Sequence, residues 1–284
     1  MQENALKDIV VIYHGHCQDG FGSAFCAWKK FGDTVSYIGC SDRTIPPEGL
    51  FDKEVYIVDF CYPQEVLLDL EANNKRVVVI DHHISVKESV ESVKEHIFSE
   101  EHSASYLCWE YFVGSEVPHF IRMLEIIDLY KDKEGAETNA ITYILSKPYT
   151  FLAYEKMLHD FSIEERLVSI KELGRAQHEY LELLIDGIID DPDFVVFEGH
   201  TVPCVNINFP LNEKSIALAR LYTKYPPFAI SYRFDKGLVK VSLRGNGEVD
   251  LTELAGKYGG GGHKNSSGFA VPIEYPLPFA KRVL

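Results

Sequence analysis

The sequence predicts an α/β protein in which an N-terminal domain with a parallel sheet is joined by a helical connector to a smaller α/β domain. Strand-like and helix-like segments alternate through the first half of the chain, which is typical of a parallel sheet with helices on both faces. Helical patterns with charged faces follow, and then a second set of strands and helices. We therefore predict a first domain at residues 1–155, a helical connector at 156–190 and a second domain at 191–284.

The strands of the first domain are continuous apolar runs, which are typical of strands buried on both faces. Its helices have apolar residues at helical spacing, and Gly32 closes the first of them. The predicted elements are, in order, the strand DIVVIYH, the helix GFGSAFCAWKKFG, the strand VYIVD, the helix QEVLLDLEANN, the strand RVVVID, and the helices HSASYLCWEYF and HFIRMLEIIDLY. Ligands of such sheets bind beyond the carboxyl ends of the strands.

The second domain has shorter strands and a hairpin. Its predicted elements are the strand TVPCVNI, the helix NEKSIALARLYTKY, the hairpin FAISYRFDKGLVKVSLR with a glycine in its turn, the short helix DLTELAGKYG, and the glycine-rich loop GGGGHKNSSGFAV, which leads into a final strand. This order predicts that the second half of the chain forms a separate α/β domain.

The composition predicts a soluble cytoplasmic protein, monomeric or homodimeric, with no membrane association. With 284 residues, of which 46% are hydrophobic, the chain can form sizeable cores, but its net charge of -15 argues against neutralising the phosphates of long DNA or RNA. A local positive site still suits a small anionic substrate. The six cysteines form no CxxC pair, no signal peptide is visible, and no apolar run reaches the roughly 18 residues of a membrane span.

Two of the apolar runs end in an aspartate, and one of these is followed by two histidines. Asp59 follows VYIV, and Asp81, His82 and His83 follow VVVI. Carboxylates and imidazoles at one sheet edge suit manganese, iron, cobalt or zinc. The other candidate ligands are His14, Asp19 and Asp128. A carboxylate between two cations about 4 Å apart can bridge them, and such a pair activates water for phosphoester hydrolysis.

Each of these residues alone has a simpler explanation. An aspartate after a strand often caps a turn or a helix, a single histidine often packs in a core, and Asp128 suits an exposed helix position. Three adjacent polar groups directly after VVVI would be costly to bury without partners. The coincidence of several such strand ends therefore favours a functional site.

The motifs at these positions resemble those of DHH-family phosphoesterases. VVVIDHHIS resembles the family signature, YHGHCQDGFGSA its first motif, VDF its second and IIDLYKD its fourth. VSLRGNGEVDLTELAGKYGGGGHKNSSGF resembles the C-terminal DHH-associated domain of the first subtype. The resemblance covers almost the whole chain, and its overall pattern is similar to short, RecJ-like members that degrade oligoribonucleotides or act on nucleotide phosphates.

The resemblance implies two manganese-type ions, with magnesium, cobalt or iron as alternatives. In that scheme His14 binds one ion, Asp19 the other, and Asp59 bridges them, while the second site is completed by His82 and Asp128. The resemblance also assigns the catalytic positions to Asp81 and His83. Asp81 orients the histidines or reaches the first ion, and His83 supports the reacting phosphate or the attacking water.

The first motif departs from the family pattern at one position. The family has two aspartates spaced D-x-D, and if Asp19 is the second of them, Cys17 stands at the first. A thiol is a softer ligand than a carboxylate and is uncharged until it loses its proton. Cys17 or His16 could bind the ion here, the site could prefer a softer metal, or Cys17 could simply pack in the fold.

The glycine-rich segment of the second domain is a candidate substrate site. Its backbone amides suit an anion, and residues 230–284 carry eight Lys or Arg against five Asp or Glu. A glycine run can also be a flexible hinge, and the asparagines that precede it along the chain can serve ordinary turns. The resemblance implies that Arg244 and His263 hold the substrate. The candidate substrate-binding residues are Arg244, His263, Gly261, Gly262, Lys264 and Asn206, with Asn208 beside them.

The expected function is hydrolysis of very short oligoribonucleotides or linear dinucleotides of the pGpG kind to nucleoside monophosphates. The alternative enzyme is a phosphomonoesterase of the phosphoadenosine phosphate phosphatase or exopolyphosphatase type. A third alternative, motivated by Cys17, is a nucleotide-binding module whose metal site has decayed. The glycine loop also resembles the accessory domain of alanyl-tRNA synthetases, although the acidic balance argues against that kind of RNA binding.

Overall fold

The chain forms two compact units, Met1–Gln177 and His178–Leu284. The structure is a computed structural model and describes residues 6–15, 17–41, 43–114, 116–132, 135–208, 211–275 and 280–281. The helix Glu164–Ile189 lies within the predicted connector and crosses the boundary between the units. The predicted domain limits themselves stay a prediction.

The first unit is built on a parallel sheet, as the alternation of apolar runs predicts. Its strands are β1 (Ile9–His14), β2 (Ser36–Cys40), β3 (Glu54–Val58), β4 (Arg76–Asp81) and β5 (Glu95–Phe98). They pair in the order β2-β1-β3-β4-β5, and every pair is parallel. Its helices are α1 (Gln18–Phe31), α2 (Gln64–Asn73), α3 (Lys87–Val90), α4 (Ala104–Phe112), α5 (His119–Asp128), α6 (Thr138–Leu145), α7 (Phe151–Asp160) and α8 (Glu164–Ile189).

The central strands are buried on both faces, and helices cover each face. Val10 of β1 packs in one hydrophobic cluster with Leu67 of α2, whereas its neighbour Val11 packs in another with Phe25 of α1. Successive side chains of a strand point to opposite faces, so a continuous apolar run is needed where both faces are covered. The predicted fold class is therefore confirmed for this unit.

Gly20 in the first turn of α1 permits a close approach of the helix to the end of β1. A Cβ atom at this position would lie 2.2 Å from the carbonyl oxygen of His14 and 2.8 Å from its Cβ. Any side chain larger than hydrogen would push α1 away from the strand end. The helix therefore depends on a glycine at the point where His14 leaves the sheet.

We expect Gly20→Ala to destabilise the first unit by about 1–3 kcal/mol, because the added methyl group overpacks a backbone contact. Urea unfolding followed by circular dichroism measures the difference. Gly187→Ala is the matched control, because Gly187 is also helical and a Cβ there would meet nothing within 4 Å. That control should be neutral or stabilising by up to about 1 kcal/mol. Equal stability of wild type and Gly20→Ala would contradict the packing explanation.

The described residues of the second unit form a seven-stranded mixed sheet, two helices and the end of α8. Its elements are β6 (Asp193–Phe197), β7 (His200–Asn206), α9 (Leu211–Lys224), β8 (Phe228–Asp235), β9 (Leu238–Gly245), α10 (Leu251–Gly256), β10 (Gly261–His263), β11 (Ser266–Pro272) and β12 (Ala280–Lys281). The strand order is β10-β11-β9-β8-β7-β6-β12, in which β7 and β8 are parallel and the other pairs antiparallel. The predicted hairpin is β8 and β9.

The structure corrects the prediction that the glycine-rich segment is a loop. Gly261–His263 forms β10, an antiparallel partner of β11. A Cβ on Gly260 would lie 2.2 Å from the carbonyl oxygen of Gly268, and one on Gly262 would lie 2.4 Å from that of Ser266. These two glycines are therefore required for the close approach of two strands, which is a structural reason for part of the GGGG run.

Four further strands, β2, β5, β6 and β12, were not predicted. All four are short, and β2 and β5 lie at the edges of their sheet with side chains that are mostly half-buried or exposed. Edge strands need no continuous apolar run, so their sequences give a weak signal. Within the described residues, the structure contains no helix that is both long and apolar enough to cross a membrane.

Candidate metal centre

The carboxyl ends of three adjacent strands place the predicted metal ligands at one sheet edge. β1 ends in His14, β3 is followed by Asp59, and β4 ends in Asp81. Since β1, β3 and β4 are neighbours in a parallel sheet, their ends meet. Asp59 has a φ of 53°, a left-handed conformation that aspartate tolerates better than most residues, and its backbone N–H still donates to the carbonyl of Ile80 at 3.0 Å.

Asp59 lies between two groups of side chains and is only 1% exposed. Its Oδ2 accepts a hydrogen bond from the Cys17 thiol at 3.1 Å and lies 3.6 Å from His14 Nδ1. Its Oδ1 lies 3.4 Å from His82 Nε2 and 3.9 Å from His83 Nδ1. Each carboxylate oxygen therefore faces a different set of potential ligands, which is the arrangement that a bridging carboxylate needs.

His82 connects Asp59 to the two remaining carboxylates. Its Nε2 lies 3.3 Å from Asp128 Oδ2, at the end of α5, and 3.9 Å from Asp19 Oδ2 in the first turn of α1. The imidazole is almost fully buried, with 8% of the side chain exposed. The structure thus brings together residues from α1, from the position directly after β4 and from the end of α5, although Asp19 and Asp128 are more than one hundred positions apart in the sequence.

Asp19 also anchors the start of α4. Its carboxylate accepts hydrogen bonds from the backbone N–H groups of Ala104 at 2.8 Å and Ser105 at 3.1 Å, and from the Ser105 hydroxyl. Such bonds satisfy N–H groups that have no partner inside the helix. Asp19 therefore caps the first turn of α4, and it also lies beside His82.

Asp81 holds the two histidines that follow it. Its Oδ1 accepts hydrogen bonds from the backbone N–H of His82 at 2.7 Å and of His83 at 3.1 Å, and lies 2.7 Å from His83 Nδ1. The carboxylate is 1% exposed, whereas 35% of the His83 side chain is exposed. Asp81 is thus placed to hold the backbone of His82 and to orient the imidazole of His83, which is partly exposed to solvent.

The pKa shifts in the cluster show that its buried carboxylates repel one another and lack enough positive charge nearby. Burial, together with the neighbouring carboxylates Asp59 and Asp128, raises the pKa of Asp19 to about 8. Burial and Asp59 likewise raise the pKa of Asp128. Burial also opposes ionisation of Asp59, but contacts with the imidazoles of His14 and His82 and with the thiol of Cys17 hold its pKa well below the usual range. Cations placed among these groups would relieve the repulsion between them.

The donor atoms fit divalent metal ions. Within the described residues, three sets each offer ligand atoms that lie within 4.8 Å of one another: His14, Cys17 and Asp59; Asp19, His82 and Asp128; and Asp59, Asp81, His82 and His83. Three of these atoms, Asp59 Oδ1, Asp81 Oδ2 and His82 Nε2, are buried and have no hydrogen-bond partner among the residues that the structure describes. Buried polar atoms are rarely left unpaired, so the cluster is suited to a cation. His16, the other candidate ligand, lies outside the described residues.

The predicted substrate residues of the second unit lie on, or just beyond, the strands β7, β9 and β10 of one sheet. Arg244 lies on β9 opposite Ser266 of β11, and its guanidinium donates to the carbonyl of Leu243 at 2.9 Å and lies 3.4 Å from the Ser215 hydroxyl. The other predicted substrate residues are all exposed: Gly261, Gly262, His263, Lys264, Asn206 and Asn208. The Asn206 amide donates to the carbonyl of Tyr232 at 3.1 Å, which gives this residue a structural role.

Lys214 is a buried cation that the sequence analysis missed. It is 7% exposed on α9, and its ammonium donates to the Ser242 hydroxyl at 2.9 Å. Burial, followed by the charges of Arg244 and Arg233, lowers the pKa of Lys214 to about 8. Within the part of the chain that the structure describes, no carboxylate lies within ion-pair distance of Lys214. The sequence does indicate this burial. Lys214 precedes the buried Ala217 and Leu218 by three and four positions, so helical spacing places it on the buried face of the helix.

Comparisons with known proteins agree with the fold. No protein-family model matches the sequence. Uncharacterized protein R106 of Acanthamoeba polyphaga mimivirus is 28% identical over 298 residues, which cover 96% of this chain and 70% of that protein. The solved structure of a DHH domain from a member of a ribosomal protein family aligns with a TM-score of 0.54 at 15% identity, covering 92% of this chain and 82% of the other. The pGpG-specific phosphodiesterase PggH from Vibrio cholerae aligns with a TM-score of 0.47 at 17% identity over 94% of each chain. The match to the DHH domain shows that this chain has a DHH-type fold, as its motifs predict.

Proposed function

From the DHH-type fold, we propose that this chain is a metal-dependent phosphoesterase that hydrolyses very short oligoribonucleotides or linear dinucleotides to nucleoside monophosphates. The observation that carries the proposal is the position of Asp59, whose two oxygens face separate sets of metal-ligating side chains at the carboxyl edge of a parallel sheet. Such an arrangement suits a pair of divalent cations and phosphoester hydrolysis.

Residues of the first unit would hold the cations. His14, Asp19, His82 and Asp128 would each contribute to one ion, and Asp59 to both. Bound divalent cations supply Lewis-acid stabilisation of the charge on the phosphoryl oxygens and lower the pKa of water. Manganese is the proposed ion of the set formed by Asp19, His82 and Asp128, because its two carboxylates suit manganese.

His83 is the proposed partner of the reacting phosphate. Its Nδ1 lies 2.7 Å from Asp81 Oδ1, which fixes the orientation of the ring, and the ring is partly exposed. The hydrogen bond to Asp81 raises the pKa of His83, so the imidazolium form persists to higher pH than for an ordinary histidine. A protonated imidazole in this position would donate a hydrogen bond to a phosphoryl oxygen or a proton to the leaving oxygen.

The second unit is proposed to bind the phosphate groups of the substrate. Lys214 and Arg244 place two cations close together, and burial of Lys214 without a carboxylate partner among the described residues favours an anion beside it. Arginine suits bidentate binding of phosphate. The exposed His263 and Lys264 lie at the end of β10, which pairs with β11 next to Arg244. This cationic region supports a short phosphorylated substrate in an otherwise acidic protein.

Product analysis tests the proposal. The purified protein, loaded with manganese, is incubated with RNAs of two to ten residues, cyclic dinucleotides, phosphoadenosine phosphate and polyphosphate. We expect nucleoside monophosphates from the dinucleotides and falling rates as the RNA lengthens. Free phosphate from phosphoadenosine phosphate or polyphosphate, with intact dinucleotides, would favour the phosphomonoesterase alternative. Binding of nucleotides with no hydrolysis in manganese, magnesium, cobalt or zinc would favour a binding module instead.

A further inference from the structure

Cys17 lies inside the metal cluster rather than in the hydrophobic core beside it. Its Sγ is 3.1 Å from His14 Nδ1 and 3.1 Å from Asp59 Oδ2, and these two atoms are 3.6 Å from each other. Donors bound to one tetrahedral zinc lie about 3–4 Å apart, given Zn–S and Zn–N bonds of about 2.3 and 2.0 Å. The three donor atoms therefore have the mutual spacing of ligands around one ion.

Helix capping does not explain why this residue is a cysteine. Cys17 is the N-cap of α1, and its sulfur accepts a hydrogen bond from the Gly20 N–H at 3.2 Å. Serine, threonine, aspartate and asparagine are the preferred N-cap residues, because sulfur is a weak acceptor. An aspartate would cap the helix better and would also suit manganese. The cysteine must therefore be explained by something other than the cap.

The two ends of the cluster differ in chemistry. The His14, Cys17 and Asp59 set combines nitrogen, sulfur and oxygen, whereas the Asp19, His82 and Asp128 set combines one nitrogen with two carboxylates. Thiolate ligands favour zinc and other soft ions, and carboxylates favour manganese and magnesium. The two sets would therefore select different metal ions.

We propose that the Cys17 sulfur is a ligand of one of the two ions, together with His14 and Asp59, and that it makes this position selective for zinc or cobalt over manganese. The proposal rests on the metal centre of the proposed function. The opposite position, formed by Asp19, His82 and Asp128 with Asp59, takes the harder ion. The centre is thus a mixed one with two unlike positions, and binding of the softer ion displaces the Cys17 thiol proton to solvent.

Cobalt spectroscopy tests the ligand directly. Metal-free protein is titrated with Co²⁺, and the near-ultraviolet thiolate-to-cobalt charge-transfer absorption is recorded. We expect this absorption in the wild type and in Cys204→Ala, because Cys204 is buried in the hydrophobic core of the second unit and belongs to none of the three ligand sets. We expect no such absorption in Cys17→Ser or Cys17→Asp. Both cap-forming replacements preserve the helix N-cap, and circular dichroism confirms that they fold.

Competition between metals tests the selectivity. We expect Cys17→Asp to lower the ratio of zinc affinity to manganese affinity by at least about 10–100-fold. Loss of a residue that only supports a metal ligand already costs a metal site roughly that much affinity, and Cys17 is proposed to bind the ion itself. Cobalt binding without charge-transfer absorption in the wild type, or the same absorption and the same ratio in Cys17→Asp, would overturn the proposal. These results are independent of catalysis. Charge-transfer absorption without phosphoester hydrolysis would reject the proposed function but support Cys17 as a ligand. Hydrolysis without this absorption would support the proposed function but reject Cys17 as a ligand.

Discussion

Asp59→Asn is expected to abolish phosphoester hydrolysis while the protein stays folded. The carboxylate faces His14 and Cys17 with one oxygen and His82 with the other, so no neighbouring side chain can replace it. Loss of one negative charge from a shared position weakens both ion sites at once. Asparagine also tolerates the left-handed backbone of this position, whereas Asp59→Ala, which should be equally inactive, adds backbone strain.

Steady-state kinetics at saturating manganese measure the loss, and metal analysis of the same samples shows whether ions are missing. Asp52→Asn is a matched control, because Asp52 also has a left-handed φ of 56° but is exposed and paired with Lys75 at 3.6 Å. It should retain wild-type activity. If Asp59→Asn kept more than about a tenth of wild-type kcat, a loss of less than roughly 1.4 kcal/mol of transition-state stabilisation, the bridging role would be wrong.

The strands that carry this site were predictable because burial on both faces leaves a strong sequence signal. The short apolar runs VVIY, VYIV and VVVI are typical of strands buried on both faces, and each is followed by a polar residue at the point where the strand ends. A parallel sheet then brings those ends together without any further information. His14, Asp59 and Asp81 could therefore be placed at one edge before the structure was known, although their roles as ligands stay predictions.

The contacts that cross long stretches of sequence could not be predicted in the same way. The bonds from Ala104 and Ser105 to Asp19 join residues 85 and 86 positions apart. Nothing local to either segment indicates that pairing, because it depends on how α4 packs against α1. The glycine run gave a misleading signal, since flexible loops, anion sites and closely packed strands all require glycine.

Cys17 shows a different limit. The sequence identified it as a departure from a motif, but the alternatives of ligand and packing differ only in the direction of one side chain. That direction is set by the turn between β1 and α1, where the Gly20 N–H and Asp59 both contact the sulfur. Local geometry of this kind depends on the tertiary structure around it and is not contained in the pattern of residue types.

Arg244→Ala and His263→Ala are expected to lower kcat/KM for dinucleotide hydrolysis by about 10- to 100-fold, because each charge-assisted phosphate contact contributes roughly 1.5–3 kcal/mol. The same variants should hydrolyse bis-p-nitrophenyl phosphate at nearly the wild-type rate. The reason is the proposed division of labour, in which the first unit supplies the metal centre and the second unit binds substrate phosphates. A small activated ester does not use the phosphate contacts of the second unit, so its hydrolysis is insensitive to their loss.

Arg220→Ala is the control for the loss of a positive charge on this unit. Arg220 lies on α9, like Lys214, but its guanidinium is already engaged by Glu182 and by Asp186, the latter at 3.0 Å. Its replacement should leave both substrates unaffected, because exposed ion pairs contribute little. Kinetics on a dinucleotide, a ten-residue RNA and the activated ester, for wild type and all three variants, decide the question. If Arg244→Ala and His263→Ala lost the activated ester as severely as the dinucleotide, the second unit would be acting on the chemistry or the fold, and its proposed role in substrate binding would be wrong.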